Sequence, residues 1–197
     1  MSRIGSYRRD TRETRVSCEI DLDGGAAAVN TPVPFFSHMI DQLGTHGRLG
    51  LTVQASGDVE VDAHHLVEDV GICMGRALAA ALGSYSGIAR FADRTVGLDE
   101  SLVQVAVDLG GRGYYEGSIG GVESLGLGEP AFYIEHAHEF FRAFATNGGF
   151  GLHLLSIRGG NTHHQIEAAF KGVARALRDA VAIDGEAVPS TKGVIGG

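Results

Sequence analysis

The sequence is poor in cysteine and proline. Its 197 residues include two cysteines and four prolines. Cys18 alternates with Val16 and Ile20 as in a strand, and Cys73 lies in a helical pattern, so we expect both thiols to be small buried side chains. This cysteine usage excludes a disulfide framework and favours a reducing compartment.

Long apolar runs are also missing. No run approaches the roughly 20 residues that a membrane-spanning helix needs. The polar, basic segment that ends at Asp10 lacks the apolar centre of a signal peptide. We therefore expect a cytoplasmic protein that has no membrane partner.

Positive charge is scarce as well. Sixteen Lys and Arg residues stand against 24 Asp and Glu residues, which gives a formal net charge of −8. A nucleic-acid-binding protein usually carries a basic stripe, so this balance argues against nucleic acid as a partner. A phosphorylated small molecule is still compatible with it, because a local basic pocket can occur in an acidic protein.

What the sequence does contain is one metal-binding phrase written twice. His-His-Leu-Val-Glu at residues 64–68 recurs as His-His-Gln-Ile-Glu at residues 163–167. Arg-Ala-Leu follows each phrase at the same distance, at residues 76–78 and 175–177. Each phrase opens a long amphipathic pattern, so the sequence predicts a duplicated fold with a two-metal site.

The spacing within each phrase is the reason for expecting two metals. Residues three or four apart share a helix face, whereas neighbours point about 100° apart. His64 can therefore face one way with Glu68, while His65 more naturally serves a second ion. Imidazole and carboxylate ligands suit Mn, Fe, Co, Ni or Zn, and ligand type alone does not choose among them.

Two further histidines, His38 and His136, fall at matching places in the repeat, each in a shorter helical pattern before its phrase. The repeat then yields four ligands for each of two ions, with positions left open for substrate or water. The candidate metal ligands are His38, His64, His65, Glu68, His136, His163, His164 and Glu167.

The hydrophobic pattern predicts an α+β fold with internal duplication of a strand-strand-helix-strand-helix unit, in which helices pack on one face of the sheets. Glycine turns predict that residues 26–30 and 112–117 return as hairpin strands. No Pro/Ser-rich linker separates the halves, residues 1–92 and 93–197, so we expect one cooperative catalytic domain. Helices are expected at residues 35–46, 64–82, 133–145 and 163–181.

Fixed cations are candidates for holding a phosphate group. They are Arg90, Arg112, Lys171 and the Ser190-Thr191-Lys192 segment near the end of the chain. Lys171 lies one turn beyond Glu167 and should point toward the metal end of its helix.

Several other polar residues are open to more than one interpretation. His46 follows His38 on one helix face, with Gln42 between them. His46 is interpreted as a substrate contact, as a support for a metal ligand, or as a C-terminal cation favoured by the helix dipole. The remaining carboxylates are expected to orient histidines, cap helices or face water. These are Asp62, Asp69, Asp99, Glu100 and Asp108.

Nearly from end to end, the chain resembles the imidazoleglycerol-phosphate dehydratase family. The resemblance is carried by Arg9-x-Thr11-x-Glu13-Thr14, Phe35-Phe36-Ser37-His38-Met39, Asp62-x-His64-His65-x-x-Glu68-Asp69, Gly87-Ile88-x-Arg90-Phe91, Asp99-Glu100, Asp108-Leu109-x-Gly111-Arg112, Asn161-x-His163-His164-x-x-Glu167-Ala168-x-Phe170-Lys171 and Pro189-Ser190-Thr191-Lys192-Gly193. Ser37 and Leu66 depart from the family pattern, which usually has Asp and Thr there. The loss of a carboxylate at Ser37 is expected to retune one metal.

This resemblance implies dehydration of D-erythro-imidazole glycerol phosphate to imidazole acetol phosphate, in L-histidine biosynthesis. It implies two Mn(II) ions per active site on the eight ligands above, and a homo-oligomer of 24 subunits with sites at subunit contacts. Glu13, His46 and Lys171 are expected in catalysis. Substrate contacts are expected from Glu13, His38, Gln42, His46, His64, Glu68, Arg90, Arg112, His163, Lys171, Ser190, Thr191 and Lys192.

The expected chemistry must break a C–H bond that no carbonyl acidifies. Two metals on the ring nitrogens would make the imidazole a dimetal-bound imidazolate, which can expel the neighbouring hydroxyl. Glu13 is the first choice for proton transfer, while the cations anchor the phosphate and orient the reacting carbons. Two other classes stay open: a dinuclear metallohydrolase that acts on a phosphoester, and a non-catalytic metal-binding assembly.

Overall fold

This computed structural model describes residues 2–120 and 125–195, which form two similar halves. The first half contains β1 (Ile4–Asp10), β2 (Thr14–Asp21), β3 (Ala27–Asn30), α1 (Pro34–Gly47), β4 (Gly50–Gly57) and α2 (His64–Leu82). The second contains β5 (Phe91–Leu98), β6 (Ser101–Asp108), β7 (Tyr114–Ser118), α3 (Ile134–Gly148), β8 (Gly151–Arg158) and α4 (Thr162–Ala180). The predicted α+β duplication is confirmed, and each half gains one strand at its start.

Each half builds a four-stranded mixed sheet. Sheet I has the order β1-β2-β4-β3, and sheet II has the order β5-β6-β8-β7. The predicted hairpins are wrong, because β3 and β7 pair parallel with β4 and β8 instead of returning beside β2 and β6. The reason is that α1 and α3 act as crossover connections, which parallel neighbours require.

The helices lie between the two sheets and pack on one face of each. α1 and α2 pack on sheet I, whereas α3 and α4 pack on sheet II. The halves join where α2 packs against α3 and where α1 packs against α4. One continuous apolar cluster runs through both contacts, and the single cooperative unit stays a prediction. Within the described ranges, no helix is long and apolar enough to cross a membrane.

Small residues let α2 and α3 approach closely and in parallel. A Cβ on Gly71 would lie 2.8 Å from the Phe140 carbonyl oxygen, and one on Gly75 would lie 2.7 Å from the Gly148 nitrogen. These contacts advance in the same direction along both helices. α1 and α4 are also parallel, since the rings of Phe35 and His163 meet near their starts, 5.1 Å apart. The starts of paired helices therefore lie at the same end of the molecule.

The strands that begin the two halves had weak sequence signals. In β1 the burial pattern shows only Gly5 fully buried, and a Cβ there would lie 2.1 Å from the Ala77 carbonyl oxygen. β1 thus meets α2 by backbone contact and not through an alternating apolar row. The division at residues 92 and 93 stays a prediction.

Candidate active site

Both His-His phrases lie at the start of a helix, as the sequence predicts, and a side chain just before each phrase accepts one of its backbone N–H groups. The N–H of His64 donates to Asp62 Oδ1 at 2.7 Å, and the N–H of His164 donates to Asn161 Oδ1 at 3.2 Å. The two rings of each phrase diverge, with interplanar angles of 88° in the first pair and 74° in the second. The two ring planes of each phrase are therefore steeply inclined to one another, and the two-metal arrangement stays a prediction.

The second histidine of each phrase is oriented by a carboxylate. His65 Nδ1 lies 3.1 Å from Asp58 Oδ2, and His164 Nδ1 lies 3.0 Å from Glu100 Oε2. Because a carboxylate only accepts, the ring donates its Nδ1–H and keeps the Nε2 lone pair. This arrangement is typical of histidines that ligate a metal through Nε2.

These contacts also shift proton affinities. The hydrogen bond that His65 donates to Asp58 raises the pKa of His65. The hydrogen bond from His164, with further bonds from backbone N–H groups, lowers the pKa of Glu100 to about 2. Glu100 is therefore ionised at neutral pH, and it also accepts the N–H of Asn161 at 3.0 Å.

On α4, the first histidine of the phrase, His163, contacts the carboxylate of the same phrase, Glu167. His163 Nε2 lies 2.9 Å from Glu167 Oε2, and Lys171 Nζ lies 2.6 Å from Glu167 Oε1. Burial raises the pKa of Glu167, but the hydrogen bonds from Lys171 and His163 outweigh it and the net shift is downward. Lys171 does point toward the metal end of its helix. On α2 the corresponding Glu68 is half-buried.

The two isolated histidines are each placed beside the phrase of the other half. His136 opens α3, which packs on α2, and its pKa is lowered first by burial and also by the nearby His64. His38 lies in α1, whose first turn contacts His163 through Phe35. The packing of α1 on α4 and of α3 on α2 thus brings His38 and His136 to the helices that carry the phrases of the opposite halves.

His136 nevertheless carries a hydrogen bond that opposes metal binding. Its Nδ1 accepts the N–H of Tyr133 at 3.1 Å as part of a capping box. In a neutral ring the proton then sits on Nε2. A metal at Nε2 would require this bond to open.

His46 and Gln42 form a short relay along α1. Gln42 Oε1 lies 2.9 Å from His46 Nε2, and Gln42 Nε2 lies 3.5 Å from His38 Nδ1. Burial lowers the pKa of His46, and the positive charges of Lys171 and Arg175 on α4 lower it further. This downward shift of the pKa disfavours the charged ring, and with it the interpretation as a C-terminal cation.

Glu13 lies on the turn between β1 and β2, at the end of the molecule where the helices start. Its carboxylate is 56% exposed, and Oε2 lies 3.9 Å from His65 Nδ1. In the second half, Asp99 and Glu100 occupy the matching turn between β5 and β6 beside His164. The duplication thus places carboxylates beside both second histidines.

The structure adds residues that the sequence prediction left out of the metal site. Asp99, Glu100 and His164 place donor atoms within 4.8 Å of one another. Asp58 has a buried Oδ1 with no hydrogen-bond partner among the described residues. Asp99 and Glu100 could have been found from the repeat, because their turn matches the turn that carries Glu13. Asp58 lies in a turn that gives no such signal in the sequence.

Most of the predicted phosphate-binding residues form a separate cleft, whereas Lys171 lies on α4 beside Glu167. Arg90, Arg112, Ser190, Thr191 and Lys192 line a cavity of about 900 Å³. Arg90 donates to both oxygens of Asp108, at 2.7 and 3.3 Å, and to the Pro189 carbonyl at 2.8 Å. Arg90 therefore fixes the terminal segment beside Arg112.

This cationic cleft lies at the opposite end of α4 from the histidines. The N–H of Arg90 donates to the carbonyl of Ala180, the last residue of α4, at 2.9 Å. His163 lies in the first turn of the same 19-residue helix. A helix of that length spans roughly 28 Å, which is much longer than a three-carbon phosphate ester.

The chain was compared with known proteins. A family model described as imidazoleglycerol-phosphate dehydratase matches residues 31–177. A protein of that name from Methanoculleus marisnigri is 48% identical over 197 residues, covering 97% of this chain and 98% of the relative. Another from Parafrankia sp. is 48% identical over 199 residues, covering 99% and 100%.

Solved structures give the same similarity. An imidazoleglycerol-phosphate dehydratase from Staphylococcus aureus matches with a TM-score of 0.81 and 34% identity, covering 91% of this chain and 99% of that chain. IGPD from Pyrococcus furiosus, solved in complex with (S)-C348, matches with a TM-score of 0.81 and 32% identity, covering 96% and 100%.

Proposed function

Because the chain belongs to the imidazoleglycerol-phosphate dehydratase family of hydro-lyases, we propose that it converts D-erythro-imidazole glycerol phosphate to imidazole acetol phosphate in L-histidine biosynthesis. The observation that carries the proposal is the full-length match to relatives of that name, on a fold whose paired helix starts gather the duplicated histidines. A biosynthetic role of this kind also supports a cytoplasmic location.

The metal is proposed as Mn(II), two ions per active site, on the eight ligands predicted from the repeat. Most of the donor set fits: His65 and His164 keep a free Nε2, and His163 and Glu167 already bring two donor atoms to 2.9 Å. His136 would have to release the N–H of Tyr133 from its Nδ1. Bound ions would supply Lewis-acid polarisation of the substrate's imidazole ring. Asp58 and Glu100 would hold the ring orientations that this binding needs.

Proton transfer is assigned to Glu13. Its carboxylate is exposed and lies beside His65, so it is accessible to a substrate bound near that histidine. Lys171 shares a hydrogen bond with Glu167 and can shift toward substrate when a metal takes that carboxylate. His46 would donate its Nε2–H to Gln42 Oε1 and keep Nδ1 as the nitrogen that could exchange a proton with substrate.

The phosphate group is assigned to the cleft of Arg90, Arg112 and the terminal segment. One small substrate cannot reach both this cleft and the histidines of the same chain, because the two regions lie at opposite ends of α4. The active site must then combine the histidine end of one chain with the cationic end of another. This supports the proposed homo-oligomer of 24 subunits with sites at subunit contacts.

The outer face of sheet II offers a surface for such an assembly. Phe91, Tyr114, Leu155 and Ile157 expose between 49% and 59% of their areas there. At the repeat-matched positions of β4, sheet I carries Gln54 and Ser56 in place of Leu155 and Ile157. Only one of the two duplicated faces is therefore apolar at these positions, which favours a partner on sheet II.

The test is product identification with purified, Mn(II)-loaded protein. We expect a ketone product that retains its phosphate, at a rate proportional to enzyme concentration. Release of inorganic phosphate without ketone would replace this proposal with the dinuclear metallohydrolase. Saturated metal binding with no turnover of any imidazole polyol phosphate would favour a non-catalytic assembly.

A further inference from the structure

Asp69, one residue beyond Glu68 on α2, is a buried carboxylate with two partners from another element. Its side chain is 7% exposed. Oδ1 accepts the Nε–H of Arg9 at 2.6 Å, and Oδ2 accepts the hydroxyl of Thr14. Both partners flank the turn at residues 11–13 that carries Glu13. Asp69 therefore ties the helix of the first His-His phrase to that turn.

The carboxylate sets the direction of the hydrogen bond from Thr14, and the hydroxyl of Thr11 has two acceptors within reach, Thr14 Oγ1 and the Thr14 carbonyl oxygen at 3.4 Å. Because Asp69 can only accept, Thr14 must give it the hydroxyl proton. Thr14 Oγ1 can then accept from the hydroxyl of Thr11, which lies 3.2 Å away. The lone pairs of Thr11 Oγ1 are left to accept the N–H of Glu13 at 3.1 Å and of Thr14 at 2.9 Å.

The second half has no equivalent of this arrangement. Alignment of Glu68 with Glu167 places Ala168 opposite Asp69. The turn between β5 and β6 holds only Asp99 and Glu100, and the Glu100 carboxylate is bonded directly to His164 and Asn161. Among the described residues, the buried carboxylate is thus present only in the half whose turn is longer.

We propose that Asp69 is a positioning residue, which fixes the backbone at Glu13 through Thr14 and Thr11 and so holds the Glu13 carboxylate beside His65. The proposal rests on the proposed function, in which Glu13 transfers a proton. Without the directed chain, the turn would move relative to α2, and misplacement of a reacting group by about 1 Å can cost on the order of 100-fold in rate.

Asp69→Asn is the sharpest variant, because it conserves volume. An amide has one accepting oxygen and one donating nitrogen, so it cannot accept from both Arg9 and Thr14. With Mn(II)-loaded protein we expect kcat to fall by about 10- to 100-fold, with KM and metal content close to those of the unaltered enzyme. Asp23→Asn is the control, because it removes another Arg–Asp pair, with Arg3, at the opposite end of the same strand pair.

A second pair of variants guards against a simple folding defect. Thr11→Val removes the central oxygen and should reproduce the fall in kcat, whereas Thr11→Ser restores the hydroxyl and should restore the rate. A merely structural Asp69 would lower the melting temperature and leave the kcat of the folded enzyme unchanged. That result, or a Thr11→Val enzyme with normal kcat, would overturn the proposal.

Amide hydrogen exchange gives a readout that needs no activity. The N–H groups of Glu13 and Thr14 should exchange about tenfold faster in Asp69→Asn than in the unaltered protein, because their shared acceptor loses its orientation. Unchanged exchange would overturn the positioning role. If the unaltered enzyme shows this protection but does not dehydrate the substrate, the proposed function and the catalytic role of Asp69 are both overturned. Asp69 would then only connect α2 to the turn at residues 11–13.

Discussion

At the scale of single residues, the site depends on carboxylates that set the orientation of imidazole rings. Asp58 and Glu100 come from different elements, yet each accepts the Nδ1–H of the second histidine of a phrase. The histidines themselves could be predicted, because their spacing recurs. Asp58 could not, because a hydrogen bond across a turn and a helix leaves no periodic trace in the sequence.

Glu13 is the residue whose chemical role is most easily separated from binding. Glu13→Gln keeps the size and the exposed position of the side chain but removes its basicity. We expect kcat to fall by about 10²- to 10⁴-fold, with metal content and substrate affinity retained. Steady-state kinetics with calorimetric binding measures both, and Glu19→Gln, on the exposed face of β2, is the matched control. Normal turnover in Glu13→Gln would remove this residue from the mechanism.

His46 gives a pH dependence whose sign follows from its surroundings. Burial, then the charges of Lys171 and Arg175, lower its pKa below the ordinary value of 6.5. As the pH falls below 6.5, the unfolded chain therefore binds more protons at this histidine than the folded chain does. The contribution of neutral His46 to the free energy of unfolding is fully present above pH 6.5 and is lost as the pH falls through the lowered pKa of the folded state. The loss in the free energy of unfolding between about pH 7.5 and about pH 5, measured with a denaturant, should be smaller in His46→Gln than in the unaltered protein. Equal losses would contradict the assignment.

At the scale of secondary-structure elements, the site is made by parallel pairing of helices from opposite halves. The helix positions could be predicted, since their apolar residues keep helical spacing. The pairing could not, because it depends on backbone approach at Gly71 and Gly75, where there is no side chain to leave a hydrophobic signal. β1 was missed for the same reason, through Gly5.

The contact at Gly75 can be tested by adding one methyl group. Alanine favours an isolated helix over glycine by about 1 kcal/mol. In Gly75→Ala, however, the new Cβ would lie 2.7 Å from the Gly148 nitrogen and the Phe144 carbonyl oxygen, both backbone atoms. We expect a net loss of about 1–3 kcal/mol in the free energy of unfolding. Urea unfolding at a fixed protein concentration measures it, with the exposed Ala80→Gly as the propensity control. A gain in stability would show that α2 and α3 do not approach this closely.

At the scale of the whole molecule, the two ends of the helix layer carry different chemistry. The proposed metal ligands collect where the helices start, and most of the proposed phosphate-binding cations collect where α4 ends. The sequence predicts both sets but not their separation, which depends on helix length and on the path of the terminal segment back to Arg90. The proposed assembly of several chains would bring the two sets together.

The apolar face of sheet II makes this assembly testable. Leu155→Asp puts a charge at a position that is 51% exposed in the single chain, and Gln54→Asp puts the same charge at the matching position of sheet I. A carboxylate buried in an interface is strongly unfavourable, whereas one facing water costs little. We expect Leu155→Asp to give smaller particles with lost turnover by sedimentation velocity, and Gln54→Asp to leave both unchanged. Intact, active particles in Leu155→Asp would exclude this face from the assembly.

The central claim, that the two His-His-x-x-Glu phrases hold two metal ions that support dehydration, is tested most directly by a metal titration. The protein would be stripped of metal by a chelator and refilled stepwise with Mn(II), while ketone formation from imidazole glycerol phosphate is followed. We expect turnover to vanish on stripping, to return with Mn(II), and to reach its plateau at two ions per chain. Turnover that persists in the stripped protein, or that is complete at one ion per chain, would contradict the account.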